Sequence, residues 1–473
     1  MADSRKHVYI KSCFSNAKLN YTLYYIFVER LGITFSINSD TIPDGSIIIG
    51  YGSQNNTTFN IPDCDYLHPS GIPGFFPEVR KNTVTPGGSH NYNNILTEQD
   101  SKLYRNVTTH KDSRFQQSYS IELFPTTENG FCIKFDLFSS VFFMLSRHEE
   151  YISTDTDQHG RFDLQHSFAF RHKFHNRAVV DEWIGLLRSQ LQPFFTADLF
   201  RKEIPAFSLT IDVDQIFSYR CKGFIRNTGG WLRDLFKGKI GTYLERPLVL
   251  LGLLNDPFDT FAIAESWAKK HQIALQYFIL AATDRCDFDK NGRLNCPKAL
   301  QVLKNIEHPG LHPSYDCLND DEKLANEHKL LESLCGKKID TARRHFLRMR
   351  LPESYRQLTE QGFTHDYTMG FASGIGFRAG TSRPFLFFDM QTDEVLPLTV
   401  HPFCVMDGSL KDYKQLKLSE ASDELQQMAA YIQSTNGIFE ILIHNETLSE
   451  KGRWKGWTTM LEQLIKSFQN LQS

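Results

Sequence analysis

Two aspartates at the end of an apolar run are the residues of this sequence best placed to do chemistry. Residues 207–213 form a short run with β-branched side chains, which predicts a buried strand, and Asp212 and Asp214 lie at its end. Residues i and i+2 of a strand share a face, so both carboxylates point the same way. Because two like charges repel and lose hydration there, we expect a cation or basic side chains beside them. The alternative is an aspartate pair that caps a turn or helix.

Further polar residues follow apolar stretches later in the chain. They are His312, His345, Asp366, Arg378 and His444. Parallel α/β folds build their sites where strands end, so these side chains are candidates for one site. Two histidines and one carboxylate suffice to hold a catalytic divalent cation with a position open for water, and the second carboxylate is then free to act as a base. Taken singly, each residue also fits a simpler role, a histidine in the core or an arginine in a salt bridge.

The elements that would position these residues alternate between strand and helix after Pro205. Strands are predicted at residues 207–213, 273–280, 339–347 and 438–445, with helices between them. This rhythm is typical of a parallel sheet or barrel. A basic, glycine-rich segment at residues 219–239, which contains Trp231, interrupts the alternation.

The chain before Pro205 has a different pattern. Residues 1 to about 125 predict a loop-rich α+β region, and helices follow from Asp136 and around 180–191. The stretch 157–162, with Gly160 and Arg161, reads as a structural turn held by an arginine–carboxylate pair, with Glu149 and Glu150 as the candidate partners of its charges, rather than as a metal or ligand site. We therefore predict two domains, residues 1–204 and residues 205–473.

Composition limits the partners. The net charge of −3 gives no global basic field for a nucleic acid or an acidic membrane surface, and no stretch approaches the roughly 20 apolar residues of a membrane span. The nine cysteines are scattered without a Cys-x-x-Cys pair, which predicts mostly buried, reduced thiols. The N-terminus lacks the apolar centre of a signal peptide, so we expect a cytoplasmic protein.

Four motifs, in this order along the chain, resemble those of a known family. They are Thr210-Ile211-Asp212-Val213-Asp214, Gly310-Leu311-His312-Pro313-Ser314, Gly376-Phe377-Arg378-Ala379-Gly380 and Leu442-Ile443-His444-Asn445. Over about residues 205–473 the chain resembles the polysaccharide deacetylase family, the NodB-homology group of carbohydrate esterase family four. The resemblance implies an α/β fold with a distorted (β/α) barrel. The region before it resembles the N-terminal domain of unassigned function that accompanies this barrel in some bacterial members.

The resemblance also implies roles for individual residues. The family's first motif has a base followed directly by a metal ligand, and here Val213 separates the two carboxylates, so Asp212 takes the role of base and Asp214 that of ligand. His312 matches the first histidine of the second motif, which is also a metal ligand.

The last two motifs supply an arginine and an acid. Arg378 corresponds to the arginine that holds the base carboxylate, although Gly380 stands where the family has proline. His444 matches the histidine that protonates the leaving group.

The third metal ligand is open, because Asp316 stands where the family has its second histidine. The candidates are Asp316, His308 and His345. We predict His345, since it lies in the strand predicted at 339–347, whereas His308 lies on the helix side of a Pro-Gly break. Asp366 would orient a histidine, contact substrate or serve the structure alone.

The function implied is a metal-dependent hydrolase that removes N- or O-acetyl groups from a carbohydrate or glycan precursor. The expected cofactor is a divalent metal ion, with zinc as the first choice and cobalt or nickel as alternatives. Two other functions stay open at this point. One is a catalytically silent barrel that binds glycans, and the other is an amidohydrolase acting on a non-sugar C–N bond.

Overall fold

The structure is a computed structural model, and it describes the chain in several segments. These are residues 7–52, 54–63, 66–68, 78–79, 120–121, 133, 135–195, 199–284, 288–289 and 293–470.

A four-stranded parallel sheet lies at the start of the chain. Its strands are β1 (His7–Lys11), β2 (Thr34–Ile37), β3 (Ile47–Tyr51) and β4 (Phe59–Ile61), in the order β2-β1-β3-β4. A short parallel pair, β5 (Glu78–Val79) with β6 (Ser120–Ile121), follows. Helix α1 (Ala17–Leu23) begins after Asn16, whose side chain accepts a hydrogen bond from Leu19 N, and it continues as a π-helical segment to Leu31.

The second sheet has nine strands and carries most of the residues predicted to do chemistry. The strands are β7 (Ala206–Val213), β8 (Ala274–Leu280), β9 (Pro309–His312), β10 (Thr341–Ala342), β11 (His365–Asp366), β12 (Phe385–Asp389), β13 (Glu394–Val400), β14 (Val405–Met406) and β15 (Ile438–His444). Their order is β12-β13-β11-β10-β9-β8-β7-β15-β14, and every pair is parallel except β12 with β13. The predicted mixed α/β organisation with parallel strands is confirmed.

Helices cover both sheets. Before β7 they are α2 (Leu137–Ser146), α3 (His148–Ile152), α4 (Phe168–Arg171) and α5 (Val179–Leu191). After β7 they are α6 (Gly223–Phe236), α7 (Ile240–Leu250), α8 (Phe261–His271), α9 (Pro297–Asn305), α10 (Asp321–Cys335), α11 (Glu353–Glu360), α12 (Leu418–Ser434) and α13 (Trp457–Asn470). Local sequence explains several starts, since Asp136 caps α2, Pro297 opens α9 and Asp320 caps α10.

The strands β13 and β14 are consecutive in the chain and pair with opposite flanks of the sheet. β13 pairs with β11, and β14 pairs with β15. In the connection between them, Phe403 N donates to Met369 O at 3.1 Å and Cys404 N donates to Glu440 O at 3.3 Å. The connection between β13 and β14 therefore links the β11 flank of the sheet to the β15 flank. The closed barrel expected from the resemblance stays a prediction.

The two predicted domains share one apolar core. A single cluster of buried side chains extends from Val8 to Phe468. Within it, Phe142 of α2 packs edge-on against Phe388 of β12, with ring centroids 5.1 Å apart. The buried Asp181 of α5 accepts hydrogen bonds from the Ser382 hydroxyl at 2.7 Å and its backbone N at 2.9 Å. The N-terminal region is thus packed against the β12 side of the sheet, and the division at residue 204 stays a prediction.

The structure corrects part of the prediction about cysteines. Cys221 and Cys296 form a disulfide across 75 residues of sequence, so these two thiols are not free. The sequence spacing could not show this, because the two residues meet only when the segment before α6 lies beside the start of α9. Cys317, Cys335 and Cys404 are free and buried, as predicted, and Cys13 is free and exposed. Cys64, Cys132 and Cys286 lie outside the described residues.

Among the described helices, none combines the length and the apolar character that crossing a membrane requires.

Candidate metal centre

Asp212 and Asp214 lie at the carboxyl end of β7, the third strand from the β14 side of the nine-stranded sheet. β7 pairs with β15 in a register that places Asp212 opposite His444. Both aspartates reach a third residue: His312 Nε2 is 3.7 Å from Asp212 Oδ2 and 3.5 Å from Asp214 Oδ1. The two carboxylates therefore point to the same side of the sheet edge, as their spacing predicts.

Asp214, His312 and His345 form a cluster that could hold a metal ion. One ligand atom from each lies within 4.8 Å of the others, and His345 Nε2 is 3.5 Å from Asp214 Oδ1. The strand predicted around His345 is wrong, because β10 ends at Ala342 and a 3₁₀ turn covers His345–Leu347. Phe346 has a φ of 59°, a left-handed conformation that a strand cannot continue through. This turn brings the His345 ring back beside His312, with ring centroids 4.9 Å apart.

Three histidines at this edge share one arrangement. Each uses Nδ1 for a contact within the protein and turns Nε2 toward Asp214. The Nδ1 contacts are His312 with Arg343 O (2.6 Å), His345 with Asp289 Oδ1 (2.7 Å) and His444 with Asp407 Oδ1 (2.9 Å). Since a carbonyl oxygen only accepts, His312 carries its proton on Nδ1 and has a lone pair on Nε2 when neutral. Metal-binding histidines are oriented by partners of this kind.

The charges at this edge fit a divalent cation. Asp214 Oδ1 is buried and accepts no hydrogen bond from the described residues, although two imidazole Nε2 atoms lie 3.5 Å away. A buried acceptor without a donor costs free energy, and a cation held between the three side chains would remove that cost. One carboxylate and two imidazoles match a catalytic zinc site that keeps a position open. The residues present therefore fit the expected metal.

The ionisation of these groups follows from burial and from one another. Burial raises the pKa of Asp214, but the neighbouring His345, His444 and His312 outweigh burial and hold that pKa far below its usual range. Burial lowers the pKa of His345, yet Asp214 and Asp289 raise it to about 9. The pKa of His444 also lies well above its usual value, because Asp407 and Asp214 outweigh burial. The two carboxylates thus favour the protonated form of His444.

Asp212 is held by a different arginine from the one predicted. Arg343, completely buried, donates from Nη1 to Asp212 Oδ1 at 3.0 Å and from Nη2 to the Thr210 hydroxyl at 2.8 Å. Its guanidinium also lies over the Phe278 ring, 4.5 Å from the centroid. Arg343 therefore fixes the position of Asp212 and keeps a positive charge beside it.

The prediction that Arg378 holds Asp212 is wrong. Arg378 donates from Nε and Nη2 to the two oxygens of Glu150, at 2.9 Å and 2.6 Å, and from Nη1 to Gly370 O at 3.1 Å. The segment that carries it turns toward the N-terminal region, because Phe377 N donates to His175 O and Val180 N donates to Gly380 O. Arg378 belongs to one of the four motifs. Its partner, Glu150, lies outside all four of them.

His444 lies nearest Oδ2 of Asp214, whereas His312 and His345 lie nearest its Oδ1. Its Nε2 is 4.0 Å from Asp214 Oδ2, and its ring is partly exposed. Asp407 accepts from both His444 Nδ1 and His444 N, and also from the Thr447 hydroxyl. The imidazole is thus held in one orientation with Nε2 directed at the site.

The other candidates for the third ligand lie elsewhere. The Asp316 side chain is 58% exposed and lies 3.9 Å from Lys323 Nζ. The His308 side chain is 73% exposed and lies 3.8 Å from Glu307. Asp366 is buried and accepts from the Tyr355 hydroxyl at 2.9 Å and from Thr368, so its contacts serve the structure.

Sequence reasoning missed three residues that hold the site. Asp407 follows the apolar residues 403–406, so the rule applied to the other strand ends could have found it. Arg343 lies just after β10 and two residues before His345, which is the same signal. Asp289 lies in a loop without apolar periodicity, and only the fold brings it to His345.

The turn at residues 157–162 supports the loop of His345 from the N-terminal side. Gly160 has a φ of 73°, so the predicted structural turn is confirmed, but Arg161 pairs with Asp157 and not with Glu149 or Glu150. Arg161 Nη1 also donates to Phe346 O at 2.9 Å, while Arg348 Nε donates to His159 O at 2.9 Å. These two hydrogen bonds hold the 3₁₀ turn from both sides.

A cavity of about 290 Å³ lies at the opposite end of the sheet. It is lined by Pro309, Thr341 and His365, which begin β9, β10 and β11, together with residues such as Lys337 and His401. The candidate metal ligands follow the carboxyl ends of the same strands, so this cavity belongs to another part of the molecule.

Comparison with known proteins gives partial matches. Residues 7–196 match the model of a family of unknown function, DUF7033, which is less than half of the chain. No curated protein matches the chain.

Several solved structures match part of this chain at low identity. A Mycobacterium smegmatis protein assigned as a polysaccharide deacetylase is 13% identical over 56% of this chain and 84% of its own, with a TM-score of 0.35. BA3943, a CE4 family pseudoenzyme from Bacillus anthracis, is 10% identical over 61% of this chain and 77% of its own, with a TM-score of 0.28. A BA3943 mutant with restored enzymatic activity is 12% identical over 61% and 80%, with a TM-score of 0.27. At these TM-scores the matches establish no family for this chain.

Proposed function

We propose that this protein is a metal-dependent hydrolase that removes an acetyl group from a carbohydrate. The observation that carries the proposal is the meeting of Asp214, His312 and His345 within 4.8 Å at one sheet edge, with Asp212 and His444 on the same edge. The acetylated carbohydrate is implied by the four motifs that resemble polysaccharide deacetylases.

Asp214, His312 and His345 would hold the cation, with zinc as the first choice. A divalent cation there polarises a carbonyl oxygen and makes water more acidic, so that a modest base suffices near neutral pH. Asp212 has the position of that base. Its Oδ1 is held by Arg343, whereas its Oδ2 faces the cluster, 3.7 Å from His312 Nε2.

In the reaction, Asp212 accepts a proton from water as the water oxygen bonds to the acetyl carbon. The bond from that carbon to the sugar nitrogen or oxygen then breaks, and His444 Nε2 donates its proton to the departing atom. Asp407 holds the imidazole and stabilises its charged form before the proton leaves. Acetate and a free amino or hydroxyl group are the products.

The strand connections support the distorted barrel as part of this proposal. Residues 394–406 hydrogen-bond to β11 at one end and to β15 at the other. In a barrel, two flanks joined in this way would enclose an interior. Arg343 and Glu440 would lie inside it, since both are buried and Arg343 Nη2 is 3.5 Å from Glu440 Oε1.

The test combines metal content with acetate release. The purified chain is expected to retain one equivalent of zinc, measured by elemental mass spectrometry, and to release acetate from N- or O-acetylated sugars. Asp214→Ala is expected to lose both metal and activity, while Asp316→Ala, a matched change of an exposed aspartate, keeps both.

Two outcomes would contradict this function. A protein that takes up no zinc, cobalt or nickel and releases no acetate would be a silent, glycan-binding barrel. Release of ammonia or carbamate from non-sugar amides, without acetate release from sugars, would identify an amidohydrolase instead.

A further inference from the structure

The helical hairpin formed by α6 and α7 exposes a concentration of apolar side chains. Of the twenty large apolar side chains that are exposed among the described residues, twelve lie between residues 224 and 254. The most exposed are Phe224 (84%), Ile225 (86%), Phe236 (85%), Leu251 (74%) and Leu253 (68%). Contiguous apolar patches on a protein surface mark interaction sites.

These side chains form stripes along the two helices. In α6, Ile225, Leu232 and Phe236 are seven and four residues apart, which places them on one helix face. Ile240, Leu244 and Leu248 of α7 are spaced by four and share a face in the same way. All six are exposed, so each helix turns an apolar stripe outward.

The interior of the hairpin is polar. Asp234 and Arg246 are buried and paired at 2.7 Å, and Arg246 also donates to the buried Asn227 at 3.3 Å. Trp231 stacks on Tyr243, with centroids 4.8 Å apart, and its indole N–H donates to Tyr243 O. Helices packed in water bury their apolar face and expose their polar one. This hairpin has the reverse arrangement, which suits an apolar surrounding.

The hairpin is also strongly basic. Residues 220–254 contain seven lysines or arginines and two acidic residues, although the whole chain has a net charge of −3. Arg233, Lys237 and Lys239, around the tip of the hairpin, are exposed. The global charge argued against an acidic membrane surface, but the local charge favours an anionic partner.

The base of the hairpin is fixed close to the metal centre. Asp256 accepts hydrogen bonds from Ser218 N, Tyr219 N and Arg220 N, at 2.6 to 3.0 Å, and Cys221 is joined to Cys296. Ser218 follows Asp214 by four residues. A surface that binds the hairpin would therefore lie near the edge that carries Asp212 and Asp214.

We propose that residues 220–254 bind the surface of a membrane that contains anionic lipids. The apolar stripes would enter the interfacial region, and the basic side chains would contact the acidic headgroups. With 14 and 11 residues, the two helices are too short to span a bilayer, so they would lie on it. A second copy of the chain fits this surface less well, because it would bring two hairpins of the same positive charge together.

The experiment measures binding of the full chain to vesicles and needs no enzymatic activity, so it is independent of the proposed function. The chain is expected to sediment with phosphatidylcholine vesicles that contain phosphatidylglycerol and to bind pure phosphatidylcholine vesicles much more weakly. Phe236→Ser is expected to weaken binding at least about tenfold. Lys237→Ala with Lys239→Ala is expected to weaken it about thirtyfold.

Ile204→Ser is the matched control, since Ile204 is 64% exposed and lies outside the hairpin. It should bind as the unchanged protein does, and circular dichroism should show that all variants are folded. The proposal is wrong if the unchanged protein ignores phosphatidylglycerol vesicles or if the hairpin variants bind them equally well. An oligomer that Phe236→Ser disperses, without any binding to vesicles, would overturn it in favour of self-association.

Discussion

Two buried clusters of arginines and carboxylates in this protein differ in the number of arginines per carboxylate. Beside the candidate metal centre, the single Arg343 serves two carboxylates, Asp212 at 3.0 Å and Glu440 at 3.5 Å. At the junction with the N-terminal region, the carboxylate of Glu150 accepts from two arginines, Arg147 at 2.8 Å and Arg378 at 2.9 Å.

The pKa values reflect this difference. Burial raises the pKa of Glu440 to about 8, because a shared Arg343 only partly opposes it. Burial also raises the pKa of Glu150, but Arg378 and Arg147 together outweigh burial and hold that pKa below its usual value. The junction is neutralised within the protein, since Arg147 also pairs with Glu149. Beside the candidate metal centre, by contrast, one arginine is shared by two carboxylates, and the pKa of Glu440 stays raised.

The largest expected effect is the loss of kcat when Asp212, the proposed base, is changed. Asp212→Asn keeps the shape of the side chain but cannot accept the proton, so we expect kcat to fall by about 10² to 10⁴ while bound zinc is unchanged. Acetate release and elemental analysis of the same sample measure the two quantities. Normal turnover by this variant would remove Asp212 from the mechanism.

The two arginines should separate activity from stability. Arg378→Gln leaves Glu150 with one arginine, and we expect the free energy of unfolding to fall by about 3 kcal/mol with kcat of the folded protein unchanged. Arg343→Gln should lower kcat about tenfold or more as well as stability, since Asp212 loses its partner. Denaturant unfolding and steady-state rates measure both. A loss of kcat in Arg378→Gln alone would restore the role predicted from the motif.

A smaller effect, on zinc affinity, is expected for Asp289, which contacts the proposed metal ligand His345. Asp289→Asn removes the charge that orients His345, and we expect zinc affinity to fall by about 10- to 100-fold. Competition with a chelator of known affinity measures this. The control is Asp284→Asn, an exposed aspartate five residues earlier, which should bind zinc as before. Equal affinities in both variants would argue against His345 as a ligand.

The smallest expected effect, taken per pH unit, is a pH dependence of stability. The folded chain holds a proton on Glu440 up to a pKa of about 8, whereas the ordinary value is 4.5, so the folded state binds more protons between these pH values. Stability from this group is present below pH 4.5 and is lost as the pH rises toward 8, by at most about 1.4 kcal/mol per unit. In Glu440→Gln the thermal midpoint should fall less over this range. The same slope in both proteins would exclude Glu440 as its source.

Much of the fold could be predicted from local sequence. The strands at residues 207–213, 273–280 and 438–445 are found within one or two residues of the predicted bounds. Apolar periodicity and capping residues act over a few positions, which is why they can be read without the rest of the chain. The strand predicted at residues 339–347 is wrong because local patterns do not include distant contacts. The left-handed turn at Phe346 is held by Arg161, which is distant in sequence.

Sequence by itself predicted seven candidate residues, and the structure brings five of them, Asp212, Asp214, His312, His345 and His444, to one edge, but not Asp366 or Arg378. Only the tertiary structure decided their partners. Arg343 rather than Arg378 reaches Asp212, and Asp289 and Asp407 orient two of the histidines. Motif spacing describes neighbours along the chain, whereas a buried charge takes its partner from whatever segments pack beside it.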